Sequence, residues 1–123
     1  SDLLVVCHEP DHPIMQGLPR KWLHVTDEIY GRLRGPAENL TVLASSFSDT
    51  RDGGTGEVEP GLMVIDYHQG RVFHTIYGHG ARQMKGLGFR ITLQRGSEWA
   101  ATGQVSLPLP EKKLSETEAV IAD

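Results

Sequence analysis

The sequence predicts an α/β fold, and three observations carry that reading. Leu3-Leu4-Val5-Val6-Cys7 is a continuous apolar run rich in branched residues and closed by His8-Glu9-Pro10, the pattern of a strand covered on both faces. Leu62 to His68 and Arg71 to Tyr77 flank Gln69-Gly70 and read as a β-hairpin, because a two-residue turn containing Gly suits the strand twist. Met84, Leu87, Ile91 and Trp99 recur at near-helical spacing between Ala81 and Ala101. With 123 residues the chain is long enough for one domain and a modest core, and a second domain is not expected.

Taken in order, the first strand runs into a loop to Arg20 punctuated by Pro10, Pro13, Gly17 and Pro19. Trp22 to Val25 reads as a short strand. Thr26 can then N-cap a brief helical turn carrying Asp27 and Glu28, acids that suit the positive end of a helix, so a cap explains both without any function. Leu40-Thr41-Val42-Leu43-Ala44 is a further strand, and the polar stretch Ser45 to Gly56 a mobile surface loop.

With Gln69 and Gly70 as the turn, Tyr67 faces Val72, Ile65 faces His74, Met63 faces Ile76 and Pro60 faces His79, which sets Glu59 beside His79. Both hairpin faces are largely apolar, as in a sheet sandwiched by helices, so His74 is expected to be a hydrogen-bonded core histidine. One or two helices follow between Ala81 and Ala101, interrupted by Gly86, Gly88 and Gly96 and stopped by Gly103. Pro108 and Pro110 make the next segment extended, and Ser115-Glu116-Thr117-Glu118 has the form of a capping box. Residues 1–103 are thus the domain and 104–123 an extended tail with a short helix, either touching another subunit or lacking order.

A hydrophobic fraction of 38% and a charged fraction of 23% are ordinary for a globular protein, which argues against disorder. The formal charge of −4, without a Lys/Arg cluster, argues against nucleic acid or an anionic membrane surface as partner. No run approaches the roughly 18 apolar residues of a membrane span, and the start shows no leader pattern. A cytoplasmic location is the default expectation, although an opening Ser1 leaves room for removed upstream sequence. The single Cys7 has no internal disulfide partner and sits inside the first strand, where a small buried hydrophobe is expected.

If the sheet is parallel, ligands collect at the carboxyl ends of its strands. His8 to His12, Ser45 to Asp52, and Glu59 with His79 would then share one address. Two histidines with nearby carboxylates supply a general acid/base pair near neutral pH, or ligands for a divalent metal. His12, Asp27, Glu28, Glu59 and His79 are the candidates, whereas His8, His24 and His68 are expected at the surface or partly packed. His-Glu-x-x-His, paired Cys-x-x-Cys, the phosphate-binding Gly-x-x-x-x-Gly-Lys and the Gly-x-Ser-x-Gly elbow are all absent.

Four stretches taken together, Asp11-His12-Pro13-Ile14-Met15-Gln16-Gly17-Leu18-Pro19, Thr26-Asp27-Glu28-Ile29-Tyr30, Gly70-Arg71-Val72-Phe73-His74 running on to Gly78-His79, and Gly96 to Gly103, resemble the trehalose-utilisation (ThuA-like) family. The resemblance runs from about Leu3 to Gly103 and covers the C-terminal half of that family's domain. It implies a flavodoxin-like three-layer sandwich of the glutamine-amidotransferase-like kind, a small-molecule sugar as partner, and work on trehalose or a related keto-disaccharide. Hydrolase or isomerase chemistry would be carried by His12, Asp27, Glu28, Glu59 and His79, acting in acid/base or metal-binding roles. The cofactor is left open, with a divalent metal as the candidate. Amidotransferases of this fold use a cysteine on a sharp strand-to-helix turn; Cys7 stands inside a strand, so glutaminase chemistry is not expected. Half of a parallel sheet would expose an apolar edge, which implies a homodimer. A non-catalytic carbohydrate-binding or structural module is the alternative.

Overall fold

The computed structural model describes residues 1–34 and 37–123, which form an α/β unit built on one five-stranded sheet. The strands are β1 (Leu3–Cys7), β2 (Lys21–His24), β3 (Leu40–Phe47), β4 (Val58–Tyr67) and β5 (Gly70–Thr75), arranged in the order β2-β1-β3-β4-β5. Every neighbouring pair is antiparallel, which corrects the expectation of parallel strands. The reason lies in the connections. A parallel pair needs a crossover, usually helical, whereas the one α-helix among the described residues, α1 (Leu87–Thr102), comes after the last strand.

Helix α1 covers one face of the sheet. Its Gly88 lies against the Trp22 indole of β2 and its Gly96 against the Phe73 ring of β5, so the helix backbone approaches closely where side chains are missing. Leu3, Val5, Cys7, Trp22, Leu62, Val64, Phe89 and Trp99 fill the interface, joined by Ile14 and Met15 from the loop after β1. Gly103, at φ 78°, ends the helix where the sequence places the stop. The other face alternates out of this core: Leu4 is 38% and Val72 40% exposed. His74 shares that face and is exposed, so it is not the core histidine expected from two helix-covered faces.

The hairpin forms with a register two residues from the expected one. Tyr67 pairs with Gly70, Ile65 with Val72 and Met63 with His74, because His68 and Gln69 make the turn and His68 takes up the left-handed region at φ 52°. A two-residue offset leaves every side chain on its predicted face but moves the ladder. Glu59 pairs across to Ser46 of β3, and no ladder contact joins it to His79.

Two expected helices do not form. Thr26 to Glu28 is irregular, since Asp27 is drawn into a buried hydrogen-bond set described below. The capping-box segment lies along the outer edge of β2, where the Ser115 carbonyl accepts from Leu23 N at 2.8 Å and Ala119 bridges Leu23. Edge strands leave backbone groups unpaired, and this tail covers part of them within the same chain. Short 3-10 turns occupy Thr50–Asp52 and Gln83–Lys85. Among the described residues no helix is long and apolar enough to cross a membrane.

Antiparallel pairing sorts the loops between two ends of the sheet. At one end lie the C-terminal ends of β2, β3 and β5 with the start of β4; at the other lie the C-terminal ends of β1 and β4 with the hairpin turn. Ser48 to Asp52, Glu59 and His79 therefore share an end; Ser45 lies inside β3, where its hydroxyl meets His8 Nε2 at 2.6 Å, and the loop from His8 to His12 runs at the other end.

Candidate functional site

The site is built outward from the end of β2. That strand alternates, with Trp22 and His24 buried and Lys21 exposed. A buried imidazole must find a hydrogen-bond partner. His24 Nε2 finds the Asp27 carboxylate at 2.8 Å, and the two side chains are 2% and 0% exposed. The tautomer follows from this partner: Nε2 carries the proton and donates it. Asp27 Oδ2 also accepts from Gly78 N at 2.7 Å, while Oδ1 accepts from Glu28 N at 2.9 Å and His79 N at 3.2 Å. Gly78 stands at φ +94°, and a Cβ there would run into the Phe89 ring, so backbone conformation and packing both require glycine.

What this buried set presents to solvent is His79. Its Nδ1 lies 3.3 Å from Glu28 Oε2, and the side chains are 50% and 63% exposed. The Tyr30 hydroxyl lies 3.1 Å from the same nitrogen. Open grooves border the cluster. One of about 360 Å³ is lined by Tyr30, Leu33, His74 and His79; another of about 470 Å³ is lined by Thr26, Glu28, Ile29, Ser48, Asp49 and Asp52.

Glu59 supports the cluster from behind. It is 6% exposed, and its oxygens accept from Thr55 Oγ1 at 3.0 Å and Arg32 N at 3.2 Å, bracing the segment that follows Tyr30. Beneath His24, the Tyr77 ring packs edge-on at 5.2 Å, and its hydroxyl pairs with Ser46 Oγ at 2.7 Å. Burial pushes the Tyr77 phenol up to about 12.

His12 belongs to the other end. Its Nδ1 accepts from Ile14 N at 3.1 Å, its ring packs edge-on against Trp99 at 5.1 Å, and burial lowers its pKa. The structure thus brings together Asp27, Glu28 and His79, sets Glu59 next to them through Arg32, and leaves His12 apart. The reading of the sequence missed Tyr30 and His24. His24 is buried rather than at the surface, and two signals mark it: it follows Trp22 by one alternation of the strand and precedes Asp27 by three residues.

Among the described residues no three His, Cys, Asp or Glu side chains converge as a metal site would require. Cys7 is 2% exposed and burial raises its thiol pKa, which keeps it protonated and unreactive. An exposed imidazole beside a carboxylate and a phenol can exchange protons with a bound hydroxyl, or simply hydrogen-bond to it.

Comparison with known proteins identifies the family and the fold. The family model for trehalose utilisation, ThuA, matches residues 2–100, a span that contains every residue of the cluster. The crystal structure of a ThuA-like protein from Parabacteroides merdae is 38% identical and superposes with a TM-score of 0.90, covering 98% of this chain and 46% of that one. The chain therefore spans about half the length of that structure. No curated protein matches. By the extent of the family match, this chain belongs to the trehalose-utilisation (ThuA) family.

Proposed function

We propose that this chain carries a sugar-handling edge of a carbohydrate-metabolism protein. Glu28 and His79 act as an acid/base pair on a hydroxyl or carbonyl of a trehalose-like disaccharide or its keto derivative. The observation that carries this reading is His79 Nδ1 held between the Glu28 carboxylate at 3.3 Å and the Tyr30 phenol at 3.1 Å, half-exposed at the rim of a groove. Imidazole is the side chain suited to exchange protons near neutral pH. Tyr30 adds an aromatic face with a polar tip, which matches a sugar's apolar C–H surface and its hydroxyls. Calorimetric titration of the chain with trehalose and with a keto-disaccharide tests this. Saturable binding that weakens at least tenfold in His79→Ala and Glu28→Gln is expected; no binding, or binding indifferent to both changes, contradicts it.

A second reading, binding without turnover, is favoured by one observation: His12, the other candidate imidazole, packs against Trp99 at the opposite end of the sheet. A turnover assay on the keto-disaccharide separates the two, with His12→Ala as control. Turnover lost in His79→Ala but kept in His12→Ala supports chemistry at Glu28 and His79.

The same reading takes the family's whole domain as a flavodoxin-like three-layer sandwich, of which this antiparallel sheet is one part. It also takes the chain as a homodimer, for which the exposed apolar face bearing Leu4 and Val72 supplies surface. Light scattering on the purified chain checks the second point, with a dimer mass expected and a monomer mass contradicting it.

A further inference from the structure

We propose that Asp27 is a positioning residue and not a catalytic one: anchored by His24, its buried carboxylate clamps the backbones of Glu28 and His79 and so fixes the spacing of their side chains. This rests on the reading of Glu28 and His79 as the sugar-handling pair.

Three features of the carboxylate carry the inference. The first is access, because the Asp27 side chain is 0% exposed and no substrate atom can reach it without the loops opening. The second is capacity. A carboxylate offers about four acceptor directions, and all four are in use: His24 Nε2 at 2.8 Å, Gly78 N at 2.7 Å, Glu28 N at 2.9 Å and His79 N at 3.2 Å. The third is the identity of the donors. Two are the main-chain N–H groups of the acid and the base themselves, residues far apart in sequence whose other links, through the side chains of Glu28, Tyr30 and Gln83, are not buried.

Successive N–H groups in a turn with a left-handed residue form a concavity of the kind that binds anions. Gly78 and His79 form such a concavity, with Gly78 at φ +94°, and the chain supplies its own anion in Asp27. His24 ties that anion to the sheet. Its ring is held between Tyr77, at 5.2 Å, and Gly86, where a Cβ would come within 2.8 Å of Nδ1, so it has no room to turn. The anchor continues through Tyr77 to Ser46 on β3. Charge-assisted hydrogen bonds to a buried carboxylate are strong, which suits a clamp.

The test is hydrogen exchange by NMR at the Glu28, Gly78 and His79 amides, together with keto-disaccharide affinity, on the unmodified chain, Asp27→Asn and His24→Gln. Asparagine keeps one acceptor oxygen where the carboxylate had two. We expect those amides to exchange at least tenfold faster in Asp27→Asn while amides of β4 such as Val64 keep their rate. Affinity should fall at least tenfold although Glu28 and His79 are untouched. Glutamine in place of His24 keeps an N–H donor and should give a smaller change of the same kind.

Unchanged exchange at Gly78 and His79 in Asp27→Asn overturns the proposal. So does unchanged affinity in Asp27→Asn when His79→Ala abolishes binding, an outcome that leaves the sugar-handling reading standing. If the sugar binds none of the proteins, that reading falls and the exchange rates alone decide the clamp. If Asp27→Asn does not fold, His24→Gln decides by the same two readouts.

Discussion

At the end of the sheet where β2 and β5 finish, buried carboxylates hold backbone N–H groups; at the end where β1 and β4 finish, a buried guanidinium holds backbone carbonyls. Asp27 accepts from Glu28, Gly78 and His79, and Glu59 accepts from Arg32. Arg95 of α1 donates to Pro13 O at 2.7 Å and Gln16 O at 2.9 Å, fixing the loop that carries His12. The first arrangement leaves the side chains of Glu28, Tyr30 and His79 exposed, in contact with one another. The second turns His12 inward, against Trp99 and with Nδ1 satisfied by Ile14 N. Charged residues at a strand end are thus not equivalent: those that hold the loop are buried, and exposed ones stand beside them.

The largest effect expected of any single change at either end is that of Asp27→Ala. Removing one partner of a buried pair leaves His24 and three N–H groups uncompensated, and costs about 3–5 kcal/mol, read from urea unfolding. At the opposite end Arg95→Ala should cost about 2 kcal/mol, since two carbonyls lose charged donors. The loss is moderated because Nε already lacks a partner. Sugar affinity should not change in Arg95→Ala; if it does, the two ends are coupled and the comparison fails. Because the sites share no partner, the costs of Asp27→Ala and Arg95→Ala should add within about 0.5 kcal/mol in the double variant.

Effects of pH separate the ends further. The Tyr77 phenol titrates near 10 in the unfolded chain and at about 12 when folded. The folded state therefore holds its proton more tightly, and the associated stability is fully present below pH 10 and lost as pH rises from 10 to 12. Tyr77→Phe should flatten that alkaline limb in unfolding curves. His12 shows the opposite sign. Burial lowers its pKa below 6.5, so the unfolded chain binds the proton more readily, and stability should decline as pH falls below that value. The decline should be smaller than the alkaline one and absent in His12→Gln. Smallest of all in stability is His79→Ala, within about 0.5 kcal/mol because its contact with Glu28 is exposed, although sugar affinity should fall at least tenfold.

Local elements were largely readable from the residues, and long-range relations were not. The branched run Leu3–Cys7 is a strand to the residue, and Gly103 ends the helix as expected. The hairpin was readable but its register was not, since a histidine in the left-handed region took the turn position that Gly70 seemed to claim. Strand direction was misread because the parallel sheet came with the flavodoxin-like resemblance, while among the described residues no α-helix lies between any two strands to carry a parallel crossover. That error put His12 with His79. Asp27, Glu28 and His79 were legible as polar residues at strand ends. Their division into clamp and exposed pair was not, because it depends on which carboxylate is buried. The spacing His24, Asp27 was the available clue, and a buried position on an alternating strand was the reason to follow it.

The most direct test of the account is a map of NMR shift changes as keto-disaccharide is added to the chain. Changes gathered at Glu28, Tyr30, Gly78 and His79, with His12, Arg95 and Trp99 silent, are the predicted result. Changes centred on His12 and Trp99, or none at either end, would contradict it.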